Sequence, residues 1–298
     1  FRRVLYRFDW GRYFKTLWDE MEGWREPLAG YEAATVFFGG GTPTTLSAGQ
    51  LDRLCAALET HFDLSALREY TVEAGRPDTI TAEKLAVLKA HGVTRVSVNP
   101  QTMSDEVLEA IGRRHTAQEV LDALALVRQA GSFAVNMDLI AGLPGETVAD
   151  MAHTLAEIKT MRPDNLTVHT LAIKRSSRLK DQLERYPLPS REDVETMIDM
   201  GFQTAKEIGL WPYYMYRQKY QNGNLENVGY AANGKLCVYN IDMMEETTSI
   251  LAHGANAMSK RVFCGANRVE RIPNPKDVPT YGAKLDALDA QKRALFLQ

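Results

Sequence analysis
Thr35-Val36-Phe37-Phe38-Gly39-Gly40-Gly41-Thr42-Pro43 begins with four β-branched or aromatic residues and ends in glycines, a threonine and a proline. The apolar run predicts a fully buried strand. The glycines let a backbone pass close to a ligand and offer it free N–H groups. A glycine-rich turn after a buried strand is also commonly only a turn. The balance moves because four later strands end in polar residues too.

On the amino-terminal side, Asp9 to Leu28 carries Trp10, Tyr13, Phe14, Leu17, Trp18, Met21 and Trp24 at helical spacing. This predicts an amphipathic helix whose aromatic stripe packs into a core. On the carboxyl side, Ser47-Ala48-Gly49-Gln50 is a capping box that opens a helix through Leu58. Tyr70 to Glu73 reads as a short strand. Thr81 caps a helix that Gly92 ends. Val93 to Val98 reads as a strand, followed by Asn99-Pro100-Gln101 and a short helix from Ser104 to Ile111. Thr116 opens a helix that stops at Gly131. Ala134 to Leu139 is a strand bearing Asp138, and Thr147 caps a helix through Met161. Asn165 to Leu171 is a strand, and Ser190 caps a long helix that stops at Gly209.

Strand and helix alternate in units of about 25–35 residues, which implies a parallel sheet with right-handed crossovers. Five strands are readable between Thr35 and Leu171, with room for a first strand ahead of them. A doubly wound sheet and a barrel both fit that count. After Gly209 the chain turns polar and aromatic. Short strands are expected around Thr248–Leu251, Lys260–Phe263 and Arg268–Ile272, with a turn at Cys264-Gly265-Ala266-Asn267. Residues 210–298 therefore read as a small α+β extension.

Composition narrows the class of function. The 298 residues are 45% hydrophobic and 24% charged, as in ordinary globular proteins. A net charge of −3 supplies no basic field for nucleic acid or anionic lipid. No apolar run nears the roughly 20 residues that span a bilayer, and no signal peptide is visible. Three cysteines, Cys55, Cys237 and Cys264, lie far apart. An odd, scattered set argues for a reducing cytoplasm and against a disulfide framework or a close-spaced metal site.

In α/β sheets the ligand lies beyond the carboxyl ends of the strands. Gly39–Thr42, Glu73, Gln101, Asp138 and His169 stand there. Any one of them could be a helix cap or a buried acceptor; His169 alone reads more readily as a core histidine. Several at one rim suggest a polar ligand with hydroxyl and amine groups. Arg113-Arg114-His115 and Lys174-Arg175 with Arg178 are basic clusters, ordinarily solvated faces, that could hold carboxylates if placed at the same rim. There is no G-x-S-x-G elbow, no P-loop and no G-x-G-x-x-G after a strand.

Val36-Phe37-Phe38-Gly39-Gly40-Gly41-Thr42-Pro43, Thr71-Val72-Glu73-Ala74, Val98-Asn99-Pro100-Gln101, Ile111-Gly112-Arg113-Arg114-His115 and Asn136-Met137-Asp138-Leu139-Ile140-Ala141-Gly142-Leu143-Pro144-Gly145 occur in this order. Together they resemble the radical S-adenosylmethionine enzymes of the oxygen-independent coproporphyrinogen III oxidase group. Glu73-Ala74-Gly75-Arg76-Pro77-Asp78-Thr79, His169-Thr170-Leu171-Ala172-Ile173-Lys174-Arg175, Tyr216-Arg217-Gln218-Lys219 and Gly223-Asn224-Leu225-Glu226-Asn227-Val228-Gly229-Tyr230 are similar to its coproporphyrinogen dehydrogenase branch of the HemZ type. The likeness runs from about Trp10 to Tyr281.

The resemblance implies a partial (β/α)6 barrel over residues 7–209, with a 4Fe–4S cluster and S-adenosylmethionine at its top. Gly40, Gly41 and Thr42 would meet the methionine amine and carboxylate. Glu73 and Gln101 would contact the methionine or ribose, Arg113 the carboxylate, Asp138 a ribose hydroxyl, and the Ala172 backbone the adenine. Lys174, Arg175, Arg217 and Lys219 are the candidates for tetrapyrrole propionates. The implied reaction is decarboxylation of propionate to vinyl by a 5′-deoxyadenosyl radical, fed by an electron donor such as a flavodoxin or ferredoxin. Action on another tetrapyrrole or natural product, or service as a haem chaperone, are the alternatives. The family's C-x-x-x-C-x-x-C motif, which holds the cluster, does not occur in the sequence. In the family that loop precedes the helix that starts here near Asp9, where Phe1–Tyr6 does not run naturally into Arg7. The expectation is an N-terminal fragment at residues 1–6 and a cluster loop that belongs between Tyr6 and Arg7.

Overall fold
The computed structural model describes residues 10–24, 31–172, 187–217, 225–263 and 265–297. In chain order these form α1 (Trp10–Glu22), β1 (Thr35–Phe38), α2 (Ala48–His61), β2 (Glu69–Val72), α3 (Ala82–Ala90), β3 (Arg95–Ser97), α4 (Asp105–Ala110) and α5 (Ala117–Ala130). There follow β4 (Ala134–Ala141), α6 (Val148–Met161), β5 (Asn165–Thr170), α7 (Arg191–Glu207), β6 (Trp211–Tyr216), β7 (Asn227–Ala231) and α8 (Val238–Glu245). The last elements are β8 (Met258–Phe263), β9 (Arg268–Pro273), α9 (Val278–Ala283) and α10 (Leu285–Phe296). The chain divides into two compact units. One comprises Thr35–Asp52 and Glu69–Met244; the other comprises Phe1–Ala34, Arg53–Arg68 and Glu245–Gln298, as far as these are described.

The larger unit is an α/β half-barrel. Its sheet runs β1-β2-β3-β4-β5-β7-β6, and the first five strands are parallel. β7 lies antiparallel to β5, and β6 antiparallel to β7. β6 therefore points the same way as the parallel strands and ends at the same rim. The composition change after Gly209 suggests an extension starting near residue 210, yet β6 and β7 are hydrogen-bonded into the main sheet. Beyond Gly209 the chain stays in the larger unit as far as Met244. Local composition misleads here because sheet membership is set by ladder pairing, which a polar-aromatic strand satisfies as well as an aliphatic one.

The helices follow their sequence signals. Reciprocal capping boxes at Thr116/Glu119, Thr147/Asp150 and Ser190/Asp193 satisfy the first N–H groups of α5, α6 and α7. Ser47 and Gln50 do the same for α2. Gly209 ends α7 with a φ of +82°, a left-handed backbone that side-chained residues avoid. Gly201 lets α7 lie close on β5, since a Cβ there would meet Val168 Cγ2 at 3.1 Å.

β2 to β5 each have an apolar face and a largely polar one. Tyr70, Val72, Val96, Val98, Met137, Leu139, Leu166 and Val168 are buried on the helix side. The other face carries Glu69, Thr71 and Glu73 on the β2 path, Arg95, Ser97 and Asn99 on β3, Asn136 and Asp138 on β4, and Asn165, Thr167 and His169 on β5. The interior is thus polar along β2 to β5 except at Ile140, while Phe37 of β1 adds an aromatic ring to it. The expectation of a fully buried β1 fails: all four residues are half-buried. Among the described strands β1 pairs with β2 alone, so one edge and its side chains stay partly open. The first strand expected ahead of it, and the Tyr6–Arg7 join, lie outside the described residues.

The floor is closed by ions and amides. Arg95 Nη2 lies 3.5 Å from Glu69 Oε2, and Arg95 also bonds Asn165 Oδ1. The guanidinium donates to the carbonyls of Lys235 and Leu236 at 3.0 and 2.9 Å. Glu69 accepts the Val238 N–H at 2.7 Å and the Cys237 thiol at 3.3 Å. Burying Arg95 and Glu69 would be costly unpaired; here both have partners, although Arg95 Nε itself has none. The segment from Lys235 to Tyr239 thereby plugs the amino-terminal end of the half-barrel and leaves the carboxyl rim as its mouth.

The smaller unit is organised on α1. Leu17, Met21 and Trp24 are buried, so the aromatic-rich stripe packs as its period predicts, although the helix stops at Glu22. Glu20 is completely buried. It accepts from Lys292 Nζ at 2.5 Å, from Gly254 N at 2.8 Å and from the Tyr281 hydroxyl. β8 and β9 form a hairpin, while the strand expected at Thr248–Leu251 is reduced to a single bridge from Ile250 to Lys260.

Candidate functional site
The turn after β1 brings open backbone to the rim. Gly40 has φ +103°, and a Cβ at Gly40 or Gly41 would meet nothing within 4 Å. Gly39 differs: a Cβ there would sit 2.4 Å from the Phe37 ring. The Phe37 ring stacks on Tyr239 at 4.0 Å between centroids. Aromatic packing below therefore holds the turn, and the next two residues face free space.

Two carboxylates stand beside it with opposite tendencies. Burial pushes the Glu73 carboxyl up to about 7, and the negative charge of Asp138 adds to that, although a hydrogen bond from the Gly40 backbone opposes it. Burial also acts to raise Asp138, but the neighbouring His169, the Asn136 amide and Thr167 outweigh it and hold the group low. Asn99 Nδ2 donates to Asp138 Oδ2 at 2.8 Å, and Asn136 Nδ2 to Oδ1 at 2.9 Å. His169 Nε2 is 3.8 Å from Asp138 Oδ1, and its Nδ1 lies 2.9 Å from the Tyr216 hydroxyl. Carboxyls pushed in opposite directions beside an open backbone turn mark this rim as the candidate functional site.

The remaining expected residues fall around these two. Gln101 has φ +68°; its N–H bonds the Asp138 carbonyl at 3.0 Å and its carbonyl takes the Ile140 N–H at 2.9 Å. This non-glycine left-handed backbone is strained, and it carries β3 alongside β4 up to the rim. Arg113 follows α4. Desolvation lowers its pKa, the nearby Arg76 lowers it further, and Asp78 acts in the opposite sense. Ala172 stands just past β5, half-buried. Thr42 precedes a 3-10 turn at Pro43–Thr45. Gly40, Gly41, Glu73, Gln101 and Asp138 are therefore brought to neighbouring strand ends. Arg217 follows Tyr216 and pairs with Glu226 at 2.8 Å. Lys174, Arg175 and Lys219 lie outside the described residues.

Sequence reading passed over Asn99, Asn136, Thr167 and Tyr239 as site residues, and over Tyr214, whose hydroxyl lies 3.3 Å from Thr167 Oγ1. The signal was present: Glu69-Tyr70-Thr71-Val72-Glu73, Arg95-Val96-Ser97-Val98-Asn99 and Asn165-Leu166-Thr167-Val168-His169 alternate polar and apolar. Parallel strands covered on both faces usually read as continuous apolar runs, so this alternation marks a polar lumen.

No described cysteine can serve a cluster. Cys55 and Cys237 are buried, and burial pushes the Cys237 thiol up to about 12, which keeps it protonated. Among the described residues no group of three or more His, Cys, Asp or Glu could hold a metal ion. The adenosyl group fits better. Open glycines, a carboxyl pair and buried orphan acceptors at Asn99 Oδ1 and Asn136 Oδ1 suit a ligand that brings both charge and hydroxyl donors.

A parallel half-barrel with polar strand ends around a glycine turn is a scaffold for binding a ligand across its carboxyl rim. The model of the Radical SAM superfamily matches residues 9–158, and the chain belongs to that superfamily. It is 42% identical over 288 residues to the oxygen-independent coproporphyrinogen-III oxidase-like protein HemZ of Bacillus subtilis, covering 96% of this chain and 56% of that protein. It is 33% identical over 182 residues to the heme chaperone HemW of the same organism, covering 60% of this chain and 48% of that one. The chain thus spans about half the length of these relatives. The structure of Escherichia coli coproporphyrinogen III oxidase, HemN, superposes with a TM-score of 0.73 at 22% identity over 94% of this chain and 63% of that one, a likeness of fold. No helix among the described residues is long and apolar enough to cross a membrane.

Proposed function
We propose that this chain is the core of a radical S-adenosylmethionine enzyme that converts coproporphyrinogen III propionates to vinyls without oxygen. The observation that carries the adenosyl part is the rim itself: open Gly40–Gly41 backbone beside Glu73, which titrates near 7, and Asp138, which is held ionised. The likeness to HemZ supports the substrate.

In this reading Gly40, Gly41 and Thr42 bind the methionine end of the cofactor through backbone groups. Glu73 receives its ammonium, and loss of the Glu73 proton on binding is favoured by that positive charge. Arg113 takes the carboxylate, Gln101 and Asp138 fix the ribose side, and the Ala172 backbone meets the adenine. A 4Fe–4S cluster, whose cysteine loop this sequence does not contain, and S-adenosylmethionine would together supply the radical chemistry for hydrogen abstraction from a propionate. The chain's share is orientation and water exclusion: the Arg95–Glu69 floor seals the lower end, so reactants enter and leave by the rim. Lys174, Arg175, Arg217 and Lys219 are the proposed propionate contacts. A flavodoxin or ferredoxin is the proposed electron source, and the cytoplasm the proposed compartment.

The test uses the intact natural polypeptide containing this chain, reconstituted anaerobically with iron and sulfide. With reductant, S-adenosylmethionine, an electron acceptor and coproporphyrinogen III, it should release protoporphyrinogen, carbon dioxide, methionine and 5′-deoxyadenosine. 5′-Deoxyadenosine without that product would move the substrate to another tetrapyrrole or natural product. Tight haem binding without cofactor cleavage would favour a chaperone, the second reading, which the likeness to HemW supports.

A further inference from the structure
The Asp138 carboxylate is gripped by two amides, Asn99 through Oδ2 and Asn136 through Oδ1. An ionised carboxylate only accepts, so each amide must turn its nitrogen to Asp138 and its carbonyl away. The direction of Asn99 Oδ1 and Asn136 Oδ1 is therefore fixed. Both are buried, and neither has a donor. A buried acceptor left unpaired carries its full desolvation penalty, which makes each oxygen a place where a donor is expected.

The two oxygens differ in their neighbours. Asn136 is in register with Ser97, whose hydroxyl is also buried and unpaired. A hydroxyl can rotate to donate, so that orphan is answerable inside the protein. Asn99 stands two residues nearer the rim. It lies beside Gly75, where a Cβ would be 3.4 Å from Asn99 Nδ2, so the amide has no side chain over it from that residue. Asn99 Oδ1 and the Asp138 carboxylate are two acceptors coupled through one 2.8 Å hydrogen bond. A ribose carries two hydroxyl donors on adjacent carbons, and the methionine end of the same ligand is already served by Glu73 and the glycine turn.

We infer that Asn99 is a nucleoside-binding residue: its Oδ1 accepts one hydroxyl of the ribose cis-diol while Asp138 accepts the other. This rests on the adenosyl reading of the rim. Asn99 has a double duty, since its nitrogen orients Asp138 and its oxygen touches the ligand. The two duties are separable by a cycle that pairs a side-chain deletion with a hydroxyl deletion.

The experiment is calorimetric titration of the reconstituted polypeptide with S-adenosylhomocysteine and with its 2′-deoxy and 3′-deoxy analogues, for wild type and Asn99→Ala. Wild type should bind the parent compound about tenfold more tightly than either analogue. Asn99→Ala should lose about tenfold for the parent, cease to distinguish one analogue, and still distinguish the other through Asp138. Equal weakening toward all three ligands would overturn the assignment and reduce Asn99 to a positioner of Asp138. Unchanged affinity for the parent, or a wild type indifferent to both hydroxyls, would overturn it while leaving the adenosyl reading intact. A wild type that binds none of the three removes both. If Asn99→Ala melts before titration, Asn99→Ser keeps a small polar group without the carbonyl and runs the same cycle.

Discussion
Glu73 is the residue whose chemistry is most exposed to test. Its folded value of about 7 stands above the ordinary 4.5, so the folded state holds the proton more tightly than the unfolded chain. Its contribution to stability is present below about 4.5 and is lost as pH rises through 7. Ligand binding runs the other way, because an ammonium group prefers the ionised carboxylate. Affinity for S-adenosylhomocysteine should be about tenfold weaker at pH 6 than at pH 8 in wild type, and flat across that range in Glu73→Gln. A wild-type profile as flat as that of the variant would remove Glu73 from the ammonium site. At Gly40 the left-handed φ makes Gly40→Ala cost about 1–2 kcal/mol in thermal or denaturant unfolding, whereas Gly41→Ala, with no such φ and no neighbour, should leave stability nearly unchanged.

Among the elements, the strands carry the account. Val36-Phe37-Phe38 and the capping boxes announce strand and helix because local chemistry alone sets them, and the five parallel strands lie where period and caps put them. Three things were not legible in that way. β6 and β7 belong to the sheet through pairing partners far away in sequence. β1 is only half-buried because its neighbourhood, not its composition, decides burial. The floor is a meeting of Glu69, Arg95, Asn165 and Lys235–Val238, four places that no local window joins. The polar lumen was legible in principle, in the alternation of Arg95, Ser97 and Asn99 with Val96 and Val98. Glu73, Gln101 and Asp138 stood out as polar residues at strand ends; Asn99 was read only as part of the Asn99-Pro100-Gln101 segment that follows β3. The floor gives its own prediction: Arg95→Ala strands the buried Glu69 carboxylate and should lower unfolding free energy by about 3–5 kcal/mol, read from the denaturant midpoint at unchanged m-value.

The two compact units each have a core and a buried ion pair of their own. In the smaller unit burial acts to raise Glu20, but His253 and Lys292 outweigh it and hold the carboxyl at about 2. A depressed carboxylate stabilises above its unfolded value near 4.5, and that contribution is lost as pH falls through about 2. Lys292→Met removes the ammonium paired with the buried Glu20 carboxylate and should cost about 3–5 kcal/mol at neutral pH, with the deficit shrinking in acid as Glu20 takes up a proton. Thermal melts from neutral pH down to about 3 would show that convergence; parallel curves would mean that Glu20 does not titrate with folding.

All of the functional reading depends on a single adenosyl ligand lying across the ends of β1 to β5. The direct measurement is a crystal structure of the intact polypeptide, reconstituted with iron and sulfide and grown with S-adenosylmethionine. The predicted result is density with its methionine end on Gly40, Gly41 and Glu73 and its ribose on Asn99 and Asp138. Density for that ligand elsewhere on the molecule, with the rim filled only by water, would contradict it.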